Sequence, residues 1–383
     1  MLTMVLLASC NSLIPEDQNL SPSRLYDQMK EWYLWSDTLP DLNPDDYSSA
    51  SELLSVLRLD IDRWSRIIGA NDLANIISNS TLVSNGFAWT PDDQDRVRVG
   101  YVYQGSEASG AGVKRGWEVL RVNGQTAVPG NMDELVGDSL GALNNYEFRT
   151  SEGGSSEITL TNTSITPSTV LYTDTFAYEG DTVAYLVFDN LLSQAYEELK
   201  DLFTGFGENG VNNLVIDLRY CRYGLTDISR YLANLIAGDV ADKGPFVRYV
   251  FNSIKADKRN VTYRFEPLDE GLNLDSVYII TGRHTSGPAE VLINGLNAYI
   301  TVHTVGSVTD GAPVGIIGRQ FEDSTLLPVT YKMSNRFDVT DFYDGLEPET
   351  GVADDFDHDL GDRDEACLKE VLSQIGIPGG ITK

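Results

Sequence analysis

From about Val170 onward, strand-like and helix-like patterns alternate along the chain, and this constrains the fold more than any other feature. Val183-Ala-Tyr-Leu-Val-Phe188, Leu214-Val-Ile-Asp-Leu218, Val277-Tyr-Ile-Ile-Thr281 and Ile300-Thr-Val-His-Thr-Val305 read as strands. Apolar residues at helical spacing fall between them at about 192–206, 225–237 and 288–299, and a last helix is predicted at about 364–375. The alternation predicts an α/β core of layered sheet and helices over 170–383.

Two other regions precede it. Leu25, Met29, Trp32 and Tyr33 share one helical face, with Ser23 as the expected cap. After the break at Asp41-Leu-Asn-Pro44, a second helix is predicted from about Ser51, carrying Leu53, Leu54, Val56 and Leu57. These predict a small helical domain over 20–80 with its tryptophans in the core. From 83 to 165 the pattern shifts to short strands separated by Gly and Asn turns, as in Arg96-Val-Arg-Val-Gly-Tyr-Val102, Glu118-Val-Leu-Arg-Val-Asn-Gly124 and Glu157-Ile-Thr-Leu-Thr161. This predicts a β-rich module, and the whole is multidomain α+β.

Charge narrows the function. The 57 Asp and Glu against 28 Lys and Arg give a net charge of −29, which repels phosphate backbones and argues against nucleic acid as a partner. The three cysteines, Cys10, Cys221 and Cys367, and three histidines, His284, His303 and His358, form no metal-ligand spacing, so no metal or other cofactor is expected. The sequence leaves a Cys221–Cys367 disulfide open without arguing for it. Asp354-Asp-Phe-Asp-His-Asp359 raises calcium, but Leu360 and Ala366 stand where a calcium loop needs its Gly and Glu, so a solvated acidic loop is expected. At the start, Leu7-Ala8-Ser9-Cys10 closes a short apolar run and resembles a bacterial lipobox. It implies a signal segment over 1–10, a lipid on Cys10, a polar tether over 11–20 and a place in the cell envelope. That anchor is the one membrane contact expected, since no later stretch reaches the roughly 20 apolar residues of a spanning helix.

Gly105-Ser-Glu-Ala-Ser-Gly-Ala-Gly-Val-Lys-Arg-Gly116 followed by Val119-Leu-Arg-Val-Asn-Gly124 resembles the PDZ signature, with Trp117 where Asp is usual. The resemblance implies strand addition of a polypeptide end. Gly86, Phe87, Ala88 and Trp89 are the expected peptide-binding residues, in a loop whose amides could hold a carboxylate. Five further segments resemble the C-terminal processing, or tail-specific, serine proteases, in family order. Leu34-Trp35, Pro40 and Asp62-Arg63-Trp64-Ser65 are similar to the lipoprotein branch common in Bacteroidetes. Asp217-Leu-Arg-Tyr220 with Gly224-Leu225 resembles "DLRxNxGGL", and Thr285 to Leu296 with Glu290 resembles "TxSASExxxxxL". Gly306, Thr309 and Gly311 resemble "GxxTxGK", and Gly345-Leu-Glu-Pro348 resembles "GIxPD". The family implies a crotonase/ClpP-like layered core and a Ser/Lys dyad beside an oxyanion turn.

The dyad positions depart from that pattern. Counted from Glu290, the nucleophile position is Gly287 and the lysine position is Ala312. Gly287 is expected as a helix N-cap with Pro288 at N1 and Glu290 at N3. Tyr223 and Gly224 are all that remains at the oxyanion turn, beside Cys221 and Arg222. Ser286 and Cys221 are the rescue candidates: the first lies one residue from the nucleophile position and the second has no evident base. His284 is expected as a loop histidine. The expected protein is therefore an envelope lipoprotein, catalytically inactive, that binds polypeptide C-termini or an envelope protein. The alternatives are an active serine-type endopeptidase with relocated groups and a subunit supporting a catalytic homologue.

Overall fold

The computed structural model describes residues 19–70, 82–137, 139–166 and 168–377. Cys10 and the lipobox-like segment lie outside the described residues. Among those described, no helix is long and apolar enough to cross a membrane.

The central sheet has six strands in the order Val170–Tyr178, Asp181–Phe188, Asn213–Asp217, Ser276–Thr281, Thr301–Gly306 and Thr350–Gly351. The first pair is antiparallel and every later pair is parallel. Parallel strands need covered faces, and alternation along Val183–Phe188 supplies two of them. Ala184, Leu186 and Phe188 face one apolar cluster that includes residues of the helices Ala195–Glu208, Thr226–Ala237 and Pro288–Leu296. Val183, Tyr185 and Val187 face the other, capped by Cys367, Leu368, Val371 and Leu372 of the helix Ala366–Ile375. A second, antiparallel sheet was not foreseen. It comprises Val261–Arg264, Pro245–Phe251, Val329–Ser334 and Val314–Ile316, and its apolar residues Val247, Val314 and Val329 join the first cluster.

The N-terminal helices, Pro22–Trp32 and Ala50–Leu57, do not bury a core of their own. Leu25, Met29, Leu53 and Trp64 belong to the same apolar cluster as the central sheet, and the strand Arg66–Gly69 pairs with Ser324–Leu327. The segment is thus fused to the α/β unit rather than separate. The first helix is capped by Ser21, whose hydroxyl accepts from the Arg24 amide at 3.3 Å; Ser23 lies inside it because Pro22 takes the N1 position.

The β module is a separate cluster: Phe87–Pro91, Val97–Val102, Glu118–Val122, Leu143–Arg149 and Ser155–Thr161 pair in that order, around Val99, Val119, Tyr146 and Phe148. Short helices at Glu107–Gly110 and Met132–Leu135 close it, and Leu82–Ser84 pairs with Thr163–Ile165 where the chain enters and leaves.

Charge holds the module on the core. Arg115 of the module donates to Asp354 Oδ1 at 2.6 Å and to the Asp355 carbonyl at 2.9 Å. Arg219 of the core donates to the same Asp354 oxygen at 2.7 Å, to Asp217 at 2.8 Å and to Glu365 at 2.7 Å. Tyr220 Oη adds a bond to Asp354 Oδ2 at 2.6 Å. Burial raises the Asp354 carboxyl, but Arg115 and Arg219 override it and hold the group well below the usual carboxylate range. The loop at 354–359 is therefore not simply solvated acid: Asp354 is a structural anion, and Asp355 accepts from His358 Nδ1 at 2.7 Å. Among the described residues no His, Cys, Asp and Glu cluster could hold a metal. Replacing Arg219 by Met would strand Asp217 and Glu365 as buried, uncompensated carboxylates. Urea unfolding should show a loss of about 3–5 kcal/mol for Arg219→Met. A loss below about 1 kcal/mol would show that the network does not hold the fold.

Candidate peptide-binding and degenerate catalytic site

Gly287 is the N-cap of the Pro288–Leu296 helix, with Pro288 at N1 and Glu290 at N3. Its backbone, φ +51° and ψ −107°, lies where a side chain is strained and glycine is not. Glu290, fully buried, gathers the surrounding loops. Its Oε2 accepts from the Gly287 amide at 2.9 Å and the Ala312 amide at 2.7 Å. Its Oε1 accepts from the Gly311 amide at 2.7 Å and the Thr309 hydroxyl. One carboxylate oxygen thus brings residues 287 and 312 together, and neither carries a group that could attack or take a proton. Ala312 is itself fully buried.

The N-terminal segment buttresses the same loop. Asp62 accepts from the amides of Trp64 and Ser65 at 3.1 and 2.9 Å, which turns Arg63 outward to the carbonyls of Gly311 and Tyr343 at 3.1 and 3.3 Å.

The other candidates are engaged elsewhere. Ser286 is buried and donates to Asp310 Oδ2 at 2.9 Å; that carboxylate also lies 3.8 Å from the Arg63 guanidinium. Cys221 and Cys367 are both free and buried, so no disulfide joins them. Burial, and then Asp189, push the Cys221 thiol well above its ordinary value, which leaves it a thiol and a poor nucleophile. His284 is no exposed loop residue. It is buried, and its Nε2 lies 2.8 Å from Thr90 Oγ1 across the junction with the β module. Burial, with the Arg222 and Arg283 guanidinia, holds it well below the usual histidine range.

The oxyanion-turn remnant serves the backbone. The Leu191 amide donates to the Tyr223 carbonyl at 3.0 Å and the Leu225 amide to the Leu191 carbonyl at 2.8 Å, a parallel bridge on either side of Gly224. The Tyr223 ring instead borders a cavity of about 690 Å³ against the β module.

That cavity is a groove between the edge strand Phe87–Pro91 and the helix Met132–Leu135. Phe87, Ala88 and Trp89 line it, with Met132 and Val136 opposite. Gly86 does not offer its amide to an anion, because that N–H donates to Ser84 Oγ at 3.0 Å. Its carbonyl accepts from the Tyr103 amide at 2.9 Å and Ser106 Oγ at 3.1 Å. Asp189, which sequence reasoning missed, closes the core side: buried, it accepts from Tyr101, from Tyr103 at 2.7 Å and from Asn190 at 2.9 Å. Burial raises its carboxyl against those three bonds. No sequence signal marked it, since its two tyrosine partners lie more than 80 positions away.

Burial pushes the Glu290 carboxyl up to about 7 against its four hydrogen bonds. A carboxyl raised in the folded state binds its proton more tightly there, so its contribution is full below the unfolded value of 4.5 and is lost as pH climbs to about 7. Relative to Glu290→Gln, which does not titrate, the native chain should lose about 3 kcal/mol of unfolding free energy across that window. Denaturant melts at several pH values check it; parallel curves would refute it.

Residues 23–66 match the family described as "Peptidase S41 N-terminal domain". The "Probable CtpA-like serine protease" of Staphylococcus aureus is 26% identical over 242 residues, covering 62% of this chain and 46% of its own length. The chain thus spans about half the length of these relatives. Among solved structures, a Bacteroides fragilis chain assigned to the S41 proteases superposes with TM-score 0.73 at 24% identity, over 94% of this chain and 97% of the other. The photosystem II D1 C-terminal processing protease superposes with TM-score 0.57 at 16% identity, over 86% and 92%. A matching N-terminal segment, a shared fold and loops ordered around Glu290 agree: the chain is similar to the C-terminal processing, or S41, peptidases in sequence and in fold.

Proposed function

We propose that this chain is a non-cleaving member of its family that binds polypeptide C-termini in the groove of a PDZ-like module. The observation that carries the reading is the meeting of the Gly287 and Ala312 amides on one oxygen of Glu290. The positions matched to nucleophile and base are neighbours in space, yet hold a hydrogen and a methyl. The groove supports the binding half. Phe87–Pro91 is the outermost strand of its sheet, so one edge is open to an added strand, and apolar Met132 and Val136 face it for side chains. Lipidation at Cys10 would hold the protein at an envelope membrane, where it would meet exported polypeptides or an envelope partner.

One contact favours a second reading. Ser286 donates to Asp310, so a serine–carboxylate pair exists next to the empty position, and an active peptidase could be built on it.

Isothermal titration of the full chain with apolar-ended heptapeptides should show micromolar binding with a free C-terminus. C-terminal amidation should weaken it by about tenfold or more, about 1.4 kcal/mol. Equal behaviour of the two forms would sink the binding reading. Digestion of a fluorogenic protein by purified chain should match a buffer blank, and Ser286→Ala and Cys221→Ala should leave it there. Cleavage that disappears with either change would establish the peptidase reading instead.

A further inference from the structure

The groove ends on a cation that the fold leaves short of partners. Arg222 stands in the altered oxyanion turn, lines the 690 Å³ cavity and reaches across the junction, where its Nη2 donates to the Trp89 carbonyl at 2.9 Å. A guanidinium carries five N–H donors in a rigid fork suited to a carboxylate. Among the described residues this one makes that single bond to a neutral acceptor, and no carboxylate lies within 4.0 Å of it. Asp189 shares the cavity but is already taken by Tyr101, Tyr103 and Asn190. Asp189 offsets part of its charge from a distance, and the other groups near Arg222 are the phenols of Tyr101, Tyr103, Tyr220 and Tyr223 and the neutral ring of His284. The residue is half-buried, and burial pushes its guanidinium below its ordinary value against the pull of Asp189 and the phenols.

The position of this cation relative to a bound polypeptide follows from the direction in which an added strand would run. A polypeptide whose terminal carboxylate lies at the Asn85–Gly86 end runs beside Phe87, Ala88 and then Trp89. Arg222 meets it at Trp89, about three residues from its end. We propose that Arg222 is the specificity-determining residue of the groove and takes the carboxylate of an Asp or Glu side chain at the third residue from a polypeptide's C-terminus. The inference rests on the groove binding polypeptide ends, as above. It adds a chemical class of ligand, an acidic tail, that a chain of net charge −29 would otherwise repel. The selectivity is local: one half-buried cation against a strongly anionic whole.

Fluorescence anisotropy with two heptapeptides tests it, identical except for Glu or Gln third from a free C-terminus, on the full chain and on Arg222→Gln and Arg222→Lys. The Glu peptide should bind about tenfold more tightly than the Gln peptide to the native chain, and raising salt should narrow the gap. Arg222→Gln should remove the preference while keeping the Gln peptide's affinity, and Arg222→Lys should retain part of it. Circular dichroism confirms that each variant folds, and the two-peptide comparison on the native chain decides the question without any variant. Equal affinities for Glu and Gln, or a preference that survives in Arg222→Gln, would overturn the role of Arg222 and leave the groove reading intact. Failure of both peptides, and of their amidated forms, to bind would overturn both.

Discussion

Everything about the candidate site depends on one carboxylate placed between two arginines. Asp354 is reached by Arg115 from the β module and by Arg219 from the core, both on Oδ1, at 2.6 and 2.7 Å. Two cations from different folding units cannot share one half-buried anion unless those units are held in one orientation. That orientation sets the weaker contacts across the junction, His284 with Thr90 and Arg222 with the Trp89 carbonyl. A buried ion network is an uncertain source of net stability, because desolvation of each charge offsets most of the attraction. Its contribution here is positional. The groove of the module is thereby set beside Arg222 and Tyr223 of the core.

Inside the core a second anion does the equivalent work on a smaller scale. Glu290 draws in two loops distant in sequence, at 287 and 309–312, using hydrogen bonds to backbone amides and the Thr309 hydroxyl. None of these contacts requires a serine or a lysine. The frame itself therefore needs neither group, because it is built from main-chain donors that any residue at 287 or 312 other than proline would supply.

The sequence made the central strands and their covering helices legible, because their periods are strong and uninterrupted. The strands read at 183–188 and 277–281 and the helix read at about 225–237 are found, within one or two residues, at Asp181–Phe188, Ser276–Thr281 and Thr226–Ala237. Gly287 was legible as a helix start because Pro288 and Glu290 stand at the positions that helix termini favour. The antiparallel sheet through 245–251 and 329–334 was not, since Arg248, Lys332 and Ser334 blur the pattern and both partners are distant. Nor was the pairing of Asp354: six residues of mostly acidic sequence look solvated until Arg115 and Arg219 arrive from elsewhere. Long-range charge pairing leaves no local trace, and this is why Asp189 and the role of Arg222 became visible only in three dimensions.

The family-like positions divide by what they offer. Gly311 is retained, and a Cβ there would lie 2.4 Å from the Gly345 amide nitrogen and the Tyr343 carbonyl. Gly224 is retained, and a Cβ there would lie 2.6 Å from Leu191. Glu290 is retained because four donors would otherwise be buried without an acceptor. The positions that depart from the pattern, 221–223, 287 and 312, are those where a working enzyme needs a side chain or an open oxyanion turn and the fold does not. At 287 the departure even favours stability, since glycine adopts φ +51° and ψ −107° without the strain that a nucleophile would bear there. On the proposed non-cleaving reading, a chain released from catalysis but still required to fold would keep the first set and lose the second, which is how these positions divide.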